Sequence, residues 1–227
     1  MSDLVLGILA SGRGSNFLAI KEAIQEGKLK AKIAVVISDQ SDAKVLGLTG
    51  DIPCYAVVRS DYASKQAFEQ AMIAKLQEFG VNFVVLAGFM RILGSDFIDQ
   101  FAGKVLNIHP SLLPSFPGLH PQQQALDYGV KVSGCTVHLV DKGMDSGPII
   151  LQVPVPVYSD DTEDTLAERI LVMEHRLYPA VLALFAQDCI TVEGRRVVID
   201  CAGYSLLADS IQWSGVWSKT EDEGRTV

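Results

Sequence analysis

Short apolar runs rich in branched side chains alternate, through the first half of the chain, with segments of helical period. The runs are Leu4 to Ala10, Ile33 to Ile37, Tyr55 to Val58, Phe83 to Ala87 and Val105 to Ile108, and they read as parallel strands buried on both faces. Between them, Asn16 to Glu26, Ala43 to Gly50, Ser64 to Glu78 and Ser95 to Phe101 supply the crossover helices that such a sheet needs. The pattern predicts an α/β fold, a Rossmann-like and mostly parallel twisted sheet flanked by helices. Beyond Pro114 the texture changes to a Pro/Gly loop, a helix near Gln122 to Tyr128, and two strands, Cys135 to Val140 and Ile149 to Val157, expected to pair antiparallel. Thr162 or Asp161 then caps a long helix in which Leu166, Ile170, Met173, Leu177 and Val181 recur three or four apart, a core-facing stripe. Val192 to Ile199 reads as a hairpin strand, and Ser218 to Val227 as a polar, frayed end. We expect a single domain over residues 1–204, with halves meeting near residue 104, and a C-terminal extension over 205–227.

Composition narrows the class. The chain has 227 residues, 48% of them hydrophobic, enough for one full core. No apolar run approaches the roughly 18 residues of a membrane span, and Met1 to Leu4 lacks the basic region of a signal peptide, so a cytoplasmic protein is expected. Cys54, Cys135, Cys189 and Cys201 show no C-x-x-C spacing and are expected to be reduced thiols. His120, His138 and His175 have no metal-like spacing, and no metal is expected. A net charge of −8 disfavours a broad nucleic-acid surface but allows one locally basic phosphate pocket.

Two clusters carry candidate chemistry. Ser11-Gly12-Arg13-Gly14-Ser15-Asn16 lies between the first strand and the first helix, where free backbone N–H groups and the helix dipole favour an anion. The turn lacks a Walker lysine, and Phe17 stands where a dinucleotide fingerprint has its third glycine. It therefore reads as a phosphate cradle; an ordinary glycine turn with Ser15 or Asn16 as helix cap is the alternative. Asn107 and His109, two apart, project to one face of a strand that Pro110 ends. Both can address one reacting atom. Asp145 lies in the tight loop Asp141-Lys142-Gly143-Met144-Asp145-Ser146-Gly147-Pro148; near His109 its charge would favour the imidazolium, whereas a turn aspartate bonding its own backbone is the bland reading. Ser111 lacks the G-x-S-x-G elbow of a nucleophile.

On Ser11 to Asn16, Leu86-Ala87-Gly88-Phe89-Met90-Arg91-Ile92-Leu93, Asn107-Ile108-His109-Pro110-Ser111-Leu112-Leu113-Pro114, Phe116-Pro117-Gly118-Leu119-His120 and Asp145-Ser146-Gly147-Pro148, the chain resembles the phosphoribosylglycinamide formyltransferases. These glycinamide ribonucleotide transformylases are folate-dependent formyltransferases of purine synthesis. The resemblance covers about residues 4 to 204 and implies Asn107, His109 and Asp145 as catalytic residues. It implies that Gly14, Ser15 and Asn16 hold the ribonucleotide phosphate and that Glu174 contacts the ribose. Met90, Arg91, Ile92 and Leu93 would line the pterin pocket of the co-substrate 10-formyltetrahydrofolate, with Asn107 reaching its formyl group. Lys65 stands where relatives often carry an arginine near the folate tail, and it lacks the arginine fork. The resemblance also implies two small-molecule substrates and a homodimer. Formyltetrahydrofolate hydrolases and methionyl-tRNA formyltransferases share the central motif. They are disfavoured by the early glycine turn and by the acidic chain that ends soon after Asp145. A silent folate- or nucleotide-binding module is the remaining alternative.

Overall fold

The computed structural model describes residues 4–210. Five strands run parallel: β1 (Leu4–Leu9), β2 (Ala31–Ser38), β3 (Cys54–Ala56), β4 (Phe83–Leu86) and β5 (Val105–His109). β6 (Val132–Leu139) pairs antiparallel with β5, and β7 (Ile149–Pro156) antiparallel with β6. The sheet order is β3-β2-β1-β4-β5-β6-β7. The chain thus winds outward from β1 to β3 and returns to the other side of β1, which opens a crevice at the carboxyl ends of β1 and β4.

The apolar runs are continuous because both faces of the sheet are covered. Leu6, Ile8, Phe83 and Val85 join the core under α1 (Ser15–Gln25) and α5 (Glu163–Ala186), while Leu9, Val84 and Leu86 join that under α2 (Lys65–Glu78) and α3 (Ser95–Gln100). Successive strand residues face opposite ways, so each run feeds two cores. The stripe expected on α5 is buried throughout, and Thr162 caps the helix by accepting from the Thr165 N–H.

Tyr178 of α5 is fully buried, and its hydroxyl lies 2.9 Å from the Leu86 carbonyl and 3.0 Å from that of Leu106. The last of these helix-to-sheet contacts joins α5 to β5 directly. Tyr178→Phe should cost about 1 to 2 kcal/mol, because the carbonyls lose a donor that no water can replace. Urea unfolding of both proteins checks this, and equal midpoints would show that the hydroxyl contributes nothing.

Three expectations need correction. Ala43 to Gly50 does not form a crossover helix; only a 3-10 segment, Lys44–Leu48, is present. Gly47, Gly50 and the branched Val45 and Thr49 make poor helix, and the Val45 N–H is tied to the Gly12 carbonyl at 3.1 Å. Val192 to Ile199 is two strands, β8 (Ile190–Glu193) and β9 (Arg196–Ile199), joined at Gly194, whose φ of 63° suits a tight hairpin. The boundary at 204 falls inside α6 (Cys201–Ser210), where Leu207 is buried against the main core. α4 (Pro121–Tyr128) and the two C-terminal sheet strands match their predicted places to within a few residues. Ser218 to Val227 lies outside the described residues.

Candidate active site

Three loops leave the carboxyl edge beside the crevice. The first, Ser11 to Gly14, requires glycine at its end: Gly14 has φ 80°, and a Cβ there would sit 2.8 Å from that of Val45. Gly14 itself, with no side-chain bond, caps α1; neither Ser15 nor Asn16 does. The first bond back along this helix runs from Leu18 N–H to the Gly14 carbonyl, so helical geometry leaves the amides of Ser15, Asn16 and Phe17 directed out of the N-terminus.

Asn16 is thereby released for another contact. Its Nδ2 donates to Oε2 of Glu174 at 2.8 Å, while its Oδ1 is buried without a partner. Glu174 is not a solvated helix residue: it is 6% exposed, and burial pushes its carboxyl up to about 7, against the opposing pulls of the Asn16 amide and the Arg13 charge. A carboxyl and an amide with spare acceptors, beside the free N–H groups that open α1, form a polar site that suits a sugar phosphate.

The second loop follows β4. Ser11 joins it to the glycine turn: its Oγ accepts from Met90 N–H at 2.9 Å, and its own N–H donates to the Gly88 carbonyl at 3.1 Å. Met90 and Ile92 are exposed, Leu93 is buried, and Arg91 ion-pairs with the buried Asp39 at the end of β2. Lys65 reaches the same loop indirectly, by pairing at 3.6 Å with Glu69, whose Oε1 accepts from Gly94 N–H at 2.8 Å. The exposed apolar pair offers a surface for a flat ring, and Lys65 stands at its border.

The third loop carries the histidine centre. Asn107 and His109 share the face of β5, as their spacing requires. His109 Nε2 lies 2.9 Å from the Phe116 carbonyl, and its Nδ1 3.5 Å from Oδ2 of Asp145. An oxygen acceptor therefore faces each ring nitrogen, an arrangement that a doubly protonated ring satisfies on both sides. Asp145 does not bond its own turn: its Oδ2 accepts from Gly118 N–H at 2.8 Å, in the loop after His109. The residue sits at φ 48°, in the left-handed region that aspartate enters more readily than most residues other than glycine. Gly147 completes the turn, since a Cβ there would lie 1.8 Å from the Leu139 carbonyl.

His138 is the member that sequence reasoning missed; its spacing was weighed only for a metal. The β5–β6 register sets it directly opposite Asn107. His138 Nδ1 lies 3.0 Å from the Leu139 carbonyl, which can only accept, so the proton sits there. Burial holds the ring below the ordinary histidine range, outweighing the Asp145 charge. Nε2 is then a lone pair, 3.2 Å from Nδ2 of Asn107. Accepting one amide hydrogen fixes the Asn107 plane and leaves the other N–H for a reacting oxygen.

The sequence profile described as formyl transferase matches residues 6–182. The chain belongs to the formyl transferase family. It is 44% identical over 177 residues to the phosphoribosylglycinamide formyltransferase of Bacillus subtilis (strain 168), covering 77% of this chain and 91% of that one. With the enzyme of the same name from Escherichia coli (strain K12) it shares 41% identity over 181 residues, 79% of this chain and 85% of that one. The crystal structure of glycinamide ribonucleotide transformylase 1 from Symbiobacterium toebii superimposes with a TM-score of 0.85 at 47% identity, covering 87% of this chain and 94% of that one. The formyl transferase fold accounts for the mixed sheet, and the run His109 to Pro114 leaves β5 at the same edge as the glycine turn. Among the described residues no helix is long and apolar enough to cross a membrane.

Proposed function

We propose that the chain transfers the formyl group of 10-formyltetrahydrofolate to the amine of glycinamide ribonucleotide, giving formylglycinamide ribonucleotide and tetrahydrofolate in de novo purine biosynthesis. The observation that carries this reading is the convergence of Asn107, His109 and Asp145 at the sheet edge that also holds the Gly14 to Asn16 turn. The phosphate would rest on the amides of Ser15 and Asn16, with the Asn16–Glu174 pair meeting the ribose hydroxyls. Met90 to Leu93 would line the pterin side, and Lys65 would meet the folate tail as a single charge. A cytoplasmic homodimer belongs to the same reading.

The amine attacks the formyl carbon, and a tetrahedral oxyanion forms. Asn107 donates its remaining amide N–H to that oxygen, and the charged His109 ring stabilises it. Collapse breaks the bond to N10 of the folate, which leaves with a proton from His109, and the former amine returns a proton to the ring. Asp145 faces Nδ1 at 3.5 Å and orients the ring. In this structure Nε2 is engaged by the Phe116 carbonyl, so the ring must release that acceptor before its N–H can address the oxyanion.

Purified protein mixed with 10-formyltetrahydrofolate, with and without glycinamide ribonucleotide, tests the reading by folate absorbance. Release of tetrahydrofolate only when the ribonucleotide is present is the expected result. Equal release without it would assign a hydrolase instead, and binding without release a silent module.

A further inference from the structure

The turn that carries Asp145 is contacted by the hairpin at the far end of the chain. Arg195, at the hairpin turn between β8 and β9, donates from Nη1 to the Ser146 carbonyl at 2.6 Å. Ser146 immediately follows Asp145, and its carbonyl belongs to the peptide that enters Gly147. Beside this contact lies a cavity of about 260 Å³ lined by Leu113, Pro114, Pro117, Met144, Ile149 and Arg195, together with the turn itself. Packing holds the turn where Gly147 fits against the Leu139 carbonyl, and polar bonds hold it on the cavity side.

What remains to hold Asp145 at φ 48° is a small set of polar bonds. Asp141 Oδ1 accepts from Gly143 N–H at 3.0 Å and from the Ser146 hydroxyl at 2.7 Å, bonds within the loop. From outside the loop, Gly118 N–H holds the Asp145 carboxylate itself, and Arg195 adds a charge-assisted donor on the neutral Ser146 carbonyl. The hairpin is itself seated, since Ile190, Val197 and Ile199 pack against the main core. An anchored guanidinium can thus transmit the position of the core to the turn.

We propose that Arg195 is a positioning residue: by holding the Ser146 carbonyl it keeps the Asp145 carboxylate in register with His109. This rests on the role given to Asp145 above. Arg195 touches neither substrate in this scheme and acts only through the turn.

Three proteins, the parent, Arg195→Ala and Arg195→Lys, are compared by steady-state kinetics and by amide exchange of residues 143–147. Arg195→Ala should lower kcat about tenfold, with both KM values within about twofold of the parent, and should speed exchange across the turn. Lysine keeps a donor for the carbonyl, so Arg195→Lys should recover most of kcat and of the protection. Unchanged exchange in Arg195→Ala overturns the proposal whatever the activity, as does faster exchange with an unchanged kcat. Equal losses in the alanine and lysine variants, with a lowered melting temperature in both, would also overturn it by making Arg195 a merely structural group. Should the parent protein fail to transfer formyl groups at all, the exchange comparison still decides whether Arg195 orders the turn, so the two failures are told apart.

Discussion

Replacing Asn107 by alanine should lower kcat by about 10² to 10³ while leaving the fold intact, since that is the usual cost of removing one preorganised oxyanion donor. The residue stands at the exposed edge of the core: it is half-buried on β5, between the buried Leu106 and Ile108, and its amide bonds to a side chain rather than to the ladder. Its loss removes no large apolar group, and the strand pairs of β5 through the backbone on both sides. The neutral His138 loses a donor, which costs stability on the order of 1 kcal/mol. Turnover should therefore fall far more than unfolding free energy. Steady-state kinetics with both substrates, beside circular dichroism and urea unfolding, separate the two. A kcat within about threefold of the parent would remove Asn107 from the transition state.

Glu174→Gln should make the ligand-free protein more stable at pH 8 than the parent, by up to about 3 kcal/mol, and no different below about pH 4.5. The carboxyl titrates near 7 in the folded protein and near 4.5 in the unfolded chain, chiefly because burial disfavours its charge. Below both values the two states are protonated and the group contributes nothing to the difference. Between them the unfolded chain has released a proton that the folded protein still holds, so stability falls as pH rises through the window. Above 7 both are ionised and the penalty is complete. Glutamine carries no such proton, and the gap between the variants should open across pH 4.5 to 7 and then stay level. Urea unfolding at pH 4.5, 6 and 8 measures it. A gap independent of pH would mean that the carboxyl titrates alike in the folded and unfolded chain, so that its burial costs nothing. The same substitution weakens the acceptor offered to the ribose, so a raised KM for the ribonucleotide should accompany the gain in stability, a trade expected where a binding group is held in an unfavourable setting.

How much was legible in the sequence followed from how local each feature is. The parallel strands showed as unbroken apolar runs because Leu6, Ile8 and Leu9 feed cores on both faces of the sheet. Asn107 and His109 were visible as a pair because two residues of one strand share a face whatever the rest of the fold does. The glycine turn was visible through its place between a strand and a helix, although Asn16 turned out to face Glu174 rather than cap the helix. Glu174 itself was reached by resemblance; its burial, which decides against a solvated helix face, depends on how α5 lies across α1. His138 and Arg195 were not legible, because the first depends on the antiparallel register of β5 and β6 and the second on where a hairpin docks. The 3-10 segment at Lys44–Leu48 was misread because Gly47, Gly50 and the branched Val45 and Thr49 disfavour the full helix that its position in the wind suggested.

The Tyr178 hydroxyl has a further consequence for which acceptors suit this crevice. Tyr178 lies one turn after Glu174 on α5, and its bond to Leu106 fastens that helix to the residue before Asn107. On the proposed reading, the group that meets the sugar and the group that meets the formyl oxygen are thereby braced at a fixed span. The crevice works as a caliper: an amine set one bond nearer to its phosphate, or one bond farther, would come to rest beside the formyl carbon instead of upon it.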